Sequence, residues 1–169
     1  LQATPRLELL EDRSTPATFT VTNLADAGLG SLRDAIDQAN AAADADVIVF
    51  DPALAGGTVG LTTFTNLGVS TAAVPQPAGP SALLVTSPVT IQGTGQTLTR
   101  SGAAPFRLFQ VTAAGSLTLE DLTLTGGLAQ GGDGGGGGAG LGGAIYNQGA
   151  LTVSGCTLTG NQAVGGAGS

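Results

Sequence analysis

Glu120 and Asp121 are the only carboxylates in the most regular part of this chain. A pair of carboxyl groups on either side of a glycosidic bond, one protonated and one ionised, is enough to cleave it. These two are adjacent in sequence, and 34 residues later their positions are taken by Ser154 and Gly155. No second carboxylate therefore stacks over them, and the pair reads as a solvated corner. Arg100 and Arg107 are the nearest cations. Gly131-Gly-Asp-Gly134 partly matches the calcium-binding nonapeptide GGxGxDxUx. Its Asp arrives early, no second copy follows, and calcium takes about six to eight oxygens. The segment reads as a mobile glycine-rich insertion. Gly28 and Gly30 before a helix are a weak nucleotide-turn signal with no clear βαβ unit after them. Ser31 is a helix cap before it is an anion site. Tyr146 and Asn147 lie beside a strand and read as cover for its face.

The composition narrows the chemistry further. The 169 residues contain no His, Met or Trp, and all five cations are Arg. Without His there is no Ser-His or Cys-His pair and no imidazole metal ligand. Without Lys there is no Schiff base and no phosphate-binding loop of the usual kind. One Cys makes neither an internal disulfide nor a thiolate zinc site. A net charge of −7 argues against nucleic acid and against anionic membrane surfaces. The longest apolar runs, such as Val47–Phe50, fall far short of a bilayer span. No catalytic residue, cofactor or metal ligand is assigned.

Whatever these residues do, β-structure must position them. Polarity comes from Thr, Ser, Asn and Gln, and β-branched Thr suits strands while the 29 Gly suit corners. Residues 17–23 alternate, with Phe19 and Val21 on one face. Ser31 followed by Asp34 is a capping-box pattern, and Leu32, Ala35, Ile36 and Ala39 follow at helical spacing, so a helix is expected over 31–42. Within it Arg33 is expected to pair with Asp37. A strand covered on both faces is expected over 46–51 and another near 59–65. Residues 71–81, with three prolines, read as a surface loop.

The strongest organising signal is an internal repeat. Ser116–Gly127 and Ala150–Asn161 share six of twelve residues at an offset of 34. In each copy two apolar residues alternate, two residues intervene, and a second apolar pair follows. A straight strand would turn that second pair outward. A corner at Glu120-Asp121, and at Ser154-Gly155, restores it, with Gly or Asp suited to positive φ there. Pro88–Gly93 followed by Leu98 is a weaker copy with a longer corner. Such units stack as coils of a solenoid, about 20 to 22 residues each once the glycine insertion is set aside, giving roughly five or six coils. Cys156 in the slot of Leu122 should point inward as a small hydrophobe. Asn161 in the slot of Gly127 should bond adjacent backbone. A β-sandwich of Thr-rich strands explains the alternation but not the repeated odd-step corner.

The segment Phe19–Ile36 with its Ser31-Leu-Arg-Asp-Ala-Ile helix, and the return strand Asp46–Asp51, resemble the amino-terminal region of bacterial surface proteins with right-handed parallel β-helix domains. Asp34 stands where that family more often has Glu, and Gly30 where it often has Cys. Gly142-Gly-Ala-Ile145 and Thr157-Leu-Thr-Gly-Asn161 resemble the GGAI and FxxN motifs of polymorphic outer-membrane adhesins, with Leu158 in place of Phe. Leu7–Arg13 resembles a leader found ahead of such domains in very large secreted proteins. The resemblance implies an all-β fold, a pectin-lyase-like right-handed parallel β-helix with a short amino-terminal capping α-helix, on an exported or cell-surface protein. It implies no single activity, and the Asp-Asp, His-Gly and Arg-Ile-Lys signatures of hydrolytic members of that superhelix do not occur here.

The resulting expectation is a leader or arm over 1–16 and one β-helix domain over 17–169. The domain comprises an amino-terminal cap (17–52), a proline-rich loop (71–81) and a glycine-rich insertion (126–143), and is expected to continue beyond 169. The expected function is a non-enzymatic adhesion or stalk module, with a surface polysaccharide or protein as ligand. The alternative is a polysaccharide lyase or hydrolase whose catalytic coils lie elsewhere. Leu158 is expected to be covered by further coils of the polypeptide or by another copy.

Overall fold

A computed structural model describes residues 16–42, 44–64 and 79–169. The leader reading for 1–16 falls outside these residues except at Pro16, and so does the proline-rich loop over 71–78. Ser81, the last residue assigned to that loop, instead opens a strand.

The elements in chain order are β1 (Thr18–Val21), α1 (Leu32–Ala41), β2 (Asp46–Phe50), a 3₁₀ turn (Pro52–Leu54), β3 (Thr58–Leu61), β4 (Ser81–Val85) and β5 (Pro88–Gln92). Then come β6 (Thr97–Arg100), β7 (Arg107–Val111), β8 (Ser116–Glu120), β9 (Thr123–Thr125) and β10 (Leu128–Gln130). The last are β11 (Ile145–Asn147), β12 (Ala150–Ser154), β13 (Thr157–Thr159) and β14 (Gln162–Val164). The fold is mostly β, and every strand pairing among the described residues is parallel.

Among the described residues the strands form four sheets: β1-β2-β5-β8-β12, β3-β6-β9-β13, β4-β7-β11 and β10-β14. From β4 onward the chain visits the second-last, first and second of these in a fixed order on every pass. Parallel strands need such long returns, because no hairpin can join them. Ser81 pairs with Arg107 and Thr97 with Thr123, offsets of 26, while the last pass is offset by 34. Each pass is thus longer than the expected 20 to 22 residues, because the sequence reading placed no strand at β4, β7 or β11.

Register turns the apolar alternation into columns. Phe19, Ile48, Ile91, Leu119 and Val153 stand one above another, as do Val59, Leu98, Leu124 and Leu158. The intervening Thr residues point the other way. Thr58, Thr97, Thr123 and Thr157 form one outer row, Thr99, Thr125 and Thr159 a second, and Thr90, Thr118 and Thr152 a third. The inner columns are fully buried from Ile48 to Leu119 and from Val59 to Leu124, and become half-exposed at Val153 and Leu158.

The expected odd-step corner is present. Asp121 has φ 51°, the one non-glycine residue with positive φ among the described residues, and Gly155 in the equivalent slot has φ 63°. The positive φ strains any other residue at Gly155, and a Cβ there would also lie 2.1 Å from Asp121 Oδ1, which would have to turn aside. In the earlier, longer corner Gln96 fills the inward place that Leu122 takes later, fully buried. Its Oε1 accepts from Thr94 N–H at 2.7 Å and its Nε2 donates to Leu54 O at 3.1 Å. Cys156 packs half-buried against the core, and Leu122 N–H donates to its Sγ at 3.4 Å. Asn161 bonds the pass below through both amide atoms: Oδ1 accepts from Gly127 N–H and Nδ2 donates to Leu124 O, each 2.9 Å.

The helix runs Leu32–Ala41, one residue shorter at each end than expected. Ser31 Oγ accepts from Asp34 N–H at 3.2 Å, while the Asp34 carboxylate accepts from Gly30 N–H at 2.9 Å, one residue earlier than in a strict capping box. Its buried Leu32, Ala35, Ile36 and Ala39 pack on β1, β2, β4 and β5, closing the amino-terminal side of the core. Asn40 fixes its far end, donating to Leu84 O and accepting from Thr86 N–H, each at 2.8 Å. The strand over 46–51 is not covered on both faces: Ile48 and Phe50 are buried, Val47 and Val49 half-buried.

The glycine-rich stretch is not a bare insertion. It contains β10, and the residues after it dock on 164–167 by backbone. Gly131 N–H donates to Val164 O at 2.8 Å, and Gly166 N–H to Gly138 O at 2.8 Å. A Cβ on Gly131 would lie 1.9 Å from Gly138 O, so backbone here packs directly on backbone.

Candidate functional site

Arg33 makes its ion pair with Asp26, at 2.8 Å, and not with Asp37 as expected from the i,i+4 spacing. The loop before α1 brings a carboxylate that is already fixed: Asp26 Oδ2 accepts from Thr62 Oγ1 and from Thr63 N–H, each at 2.7 Å. Arg33 also donates to Thr63 O and to Ala82 O, tying α1 to the loop after β3 and to β4. Burial alone would raise the Asp26 pKa. Hydrogen bonds from Arg33, Thr63 and Thr62 outweigh it and hold the carboxyl well below the usual carboxylate range. Asp26→Asn is expected to cost about 2–3 kcal/mol at neutral pH, since it weakens charge-assisted hydrogen bonds. A depressed folded pKa adds stability above the unfolded value of about 4, and that stability is lost as pH falls through the folded value. The gap between wild type and variant in urea denaturation should therefore narrow between pH 7 and pH 3.

Asp37 behaves oppositely. Burial raises its pKa, and the Arg33 charge only partly opposes this. Its ionised form is less favoured in the folded than in the unfolded chain, so it subtracts stability above its folded pKa. Asp37→Asn should raise stability at pH 7 by roughly a few tenths of a kcal/mol, with no gain at pH 3.

Glu120 stands in register with Gln92 below and Ser154 above, so no carboxylate faces it across the stack. Asp121 is held in the corner, its N–H donating to Ser154 O at 3.0 Å and its carbonyl accepting from Gly95 N–H at 3.0 Å. Asp133 Oδ1 accepts from Ala167 N–H at 2.7 Å. Among the described residues no three His, Cys, Asp or Glu side chains come together as metal ligands would. Gly28 and Gly30 take positive φ, and Gly30 O accepts from Thr22 and Asn23 N–H, so these glycines make the turn into α1. Asn147 closes a turn with Gly149 through both amide atoms.

Arg100 is spent on carbonyls, donating to Gly126 O at 2.8 Å and Gly102 O at 2.6 Å. Arg107 belongs to a grouping the sequence reading did not assemble. With Ser81, Gln110 and Tyr146 it lies on β4, β7 and β11. Its guanidinium sits 5.1 Å from the Tyr146 ring centre and reaches Gly79 O at 3.4 Å and Ser81 Oγ at 3.5 Å. Ser81 Oγ meets Gln110 Oε1 at 3.3 Å. Arg107 is 1 % exposed, and burial pushes its pKa down, opposed in part by Tyr146. A buried cation stacked on an aromatic ring is a structural grouping, with no open face for a reactant. The one hint in the sequence is a pair of polar residues, Arg107 and Gln110, inside an apolar strand.

No family model, no curated protein and no solved structure matches the chain. No helix among the described residues is long and apolar enough to cross a membrane.

Proposed function

We propose that the parallel sheets wind as a right-handed β-helix, and that the chain serves as a non-enzymatic adhesion or stalk module of an exported, surface-displayed protein. The observation that carries this reading is the set of outer Thr rows. Thr97 and Thr99, Thr123 and Thr125, and Thr157 and Thr159 alternate with inward Leu on three adjacent strands. Adjacent strands lie about 4.8 Å apart and alternate residues about 6.8 Å, so hydroxyls and methyls form a flat grid suited to a repeating ligand such as a polysaccharide chain. Asp26, Asp34, Asp51 and Asp133, with Arg33 and Arg100, are by contrast engaged in caps, turns and loop ties.

The test is binding of the chain to a panel of surface and acidic polysaccharides, with reducing and unsaturated ends monitored. Retention on at least one polysaccharide without new ends is expected. Loss of retention in Thr123→Val/Thr125→Val, with unchanged circular dichroism, would tie it to the grid. Turnover that vanishes in Glu120→Gln or Asp121→Asn would overturn the non-enzymatic reading.

A further inference from the structure

Asp133 is the one Asp of the chain followed by Gly, and no Asn precedes a Gly. A following residue without a Cβ leaves its peptide nitrogen open to attack on the Asp side chain. A Cβ added at Gly134 would meet nothing within 4 Å, and both residues are exposed. Yet both are held, and by one partner. Asp133 Oδ1 accepts from Ala167 N–H at 2.7 Å, and Gly134 N–H donates to Ala167 O at 3.1 Å. This clasp engages the carboxyl group and the peptide nitrogen with Ala167 and leaves neither free to meet the other. On either side of it Gly131 N–H donates to Val164 O and Gly166 N–H to Gly138 O, each at 2.8 Å. The clasp is thus the exposed middle of the docked glycine-rich stretch.

We infer that Asp133-Gly134 is a site of spontaneous isomerisation, closed while it is clasped to Ala167 and open when the clasp lets go. Gly134 N bonds to Asp133 Cγ, the Cγ–OH bond breaks, and the hydroxyl leaves as water with the Gly134 amide proton. The product is a cyclic imide. Water then adds at one of its two carbonyls. Opening at Cγ restores Asp, while opening at the main-chain carbonyl leaves Gly134 N bonded to Cγ, an isoaspartate. One water is lost and one regained, and nothing is oxidised or reduced. The main chain now runs through Cβ and Cγ, one carbon longer, with the free carboxylate on Cα. Gly134 N–H and a carboxylate oxygen can no longer both meet Ala167 in the native register. Isomerisation therefore releases the stretch, and the release is one-way. Reaction proceeds from locally opened molecules, so its rate follows how often 164–167 lets go.

The inference is independent of adhesion. Isoaspartate at 133 is followed in the 169-residue chain over weeks at physiological temperature, in native buffer and in urea, by peptide mapping and by enzymatic methylation of isoaspartyl carboxylates. The native chain should form it roughly tenfold more slowly than the urea-unfolded chain, or slower still. Ala167→Pro removes the N–H that Asp133 accepts, and Gly131→Ala loosens the backbone beside the clasp. Each should carry the native rate most of the way to the urea rate. Asp133→Glu should give no isomer here, because ring closure through the longer side chain is far slower. The isolated isoaspartyl chain should have lost amide protection over 131–138 and 164–167, with β8 and β9 unchanged. No isoaspartate in urea overturns the site, and equal rates in native buffer and urea overturn the clasp, as do wild-type rates in both Ala167→Pro and Gly131→Ala. An isomerised chain that keeps its protection overturns the release. Should either variant fail to fold, the native and urea rates of the wild type decide.

Discussion

Leu119→Ala is expected to destabilise the chain by about 3–4 kcal/mol, whereas Val153→Ala should cost less than about 1 kcal/mol. The two residues occupy one column, Val153 directly over Leu119. Leu119 is fully buried between Ile91 below and Val153 above, so truncation removes transfer energy and leaves a cavity that stiff neighbours cannot fill. Val153 is already 41 % in solvent, and removing its methyls opens no enclosed space. Urea denaturation of both variants checks this. Equal losses would mean that the last pass is buried in the chain as it folds in solution.

Gly131→Ala is expected to loosen the glycine-rich stretch strongly, and Gly135→Ala to leave it unchanged. The two residues are four apart in the same run. A Cβ at Gly131 meets Gly138 O at 1.9 Å and Gly166 N at 2.8 Å, both backbone atoms without a rotamer to yield. A Cβ at Gly135 meets nothing within 4 Å, and its φ is not positive. Overpacking against fixed backbone costs about 1–3 kcal/mol, which in amide exchange is roughly a ten- to hundred-fold loss of protection over 131–138 and 164–167. Gly135→Ala should hold protection at the wild-type level or slightly above it, since it restricts the unfolded chain. If both variants exchange alike, the segment is not docked by its backbone.

The parts of the fold legible in the sequence share a cause. Ser31 and Asp34 at a helix start, Leu-Thr-Leu alternation and the two-residue corner at Asp121 and Gly155 are local rules, set by capping, by strand period and by the conformations Gly and Asp tolerate. The Asn161 bond to the preceding pass follows from its place in the repeat. What escaped is non-local. β4, β7 and β11 carry no recognisable repeat, and β7 in particular, with Arg107 and Gln110 inside an apolar run, gives no clean period. Helical spacing points Arg33 to Asp37, and no local signal shows that the loop before α1 returns to Thr62 and Thr63.

The residues alone therefore determined the chemistry left out and the strand-corner-strand unit. Absent side chains can do no work, and short-range sterics fix a corner wherever they recur. Tertiary structure decided which carboxylate holds Arg33, that Gly131 and Gly138 must be glycine, and that the outer Thr residues line up into rows. It also decided that Leu119 is buried while Val153, in the same slot of the next pass, is half in water. Each of these depends on which segment lies against which, and no spacing rule within one pass reports what the neighbouring pass supplies.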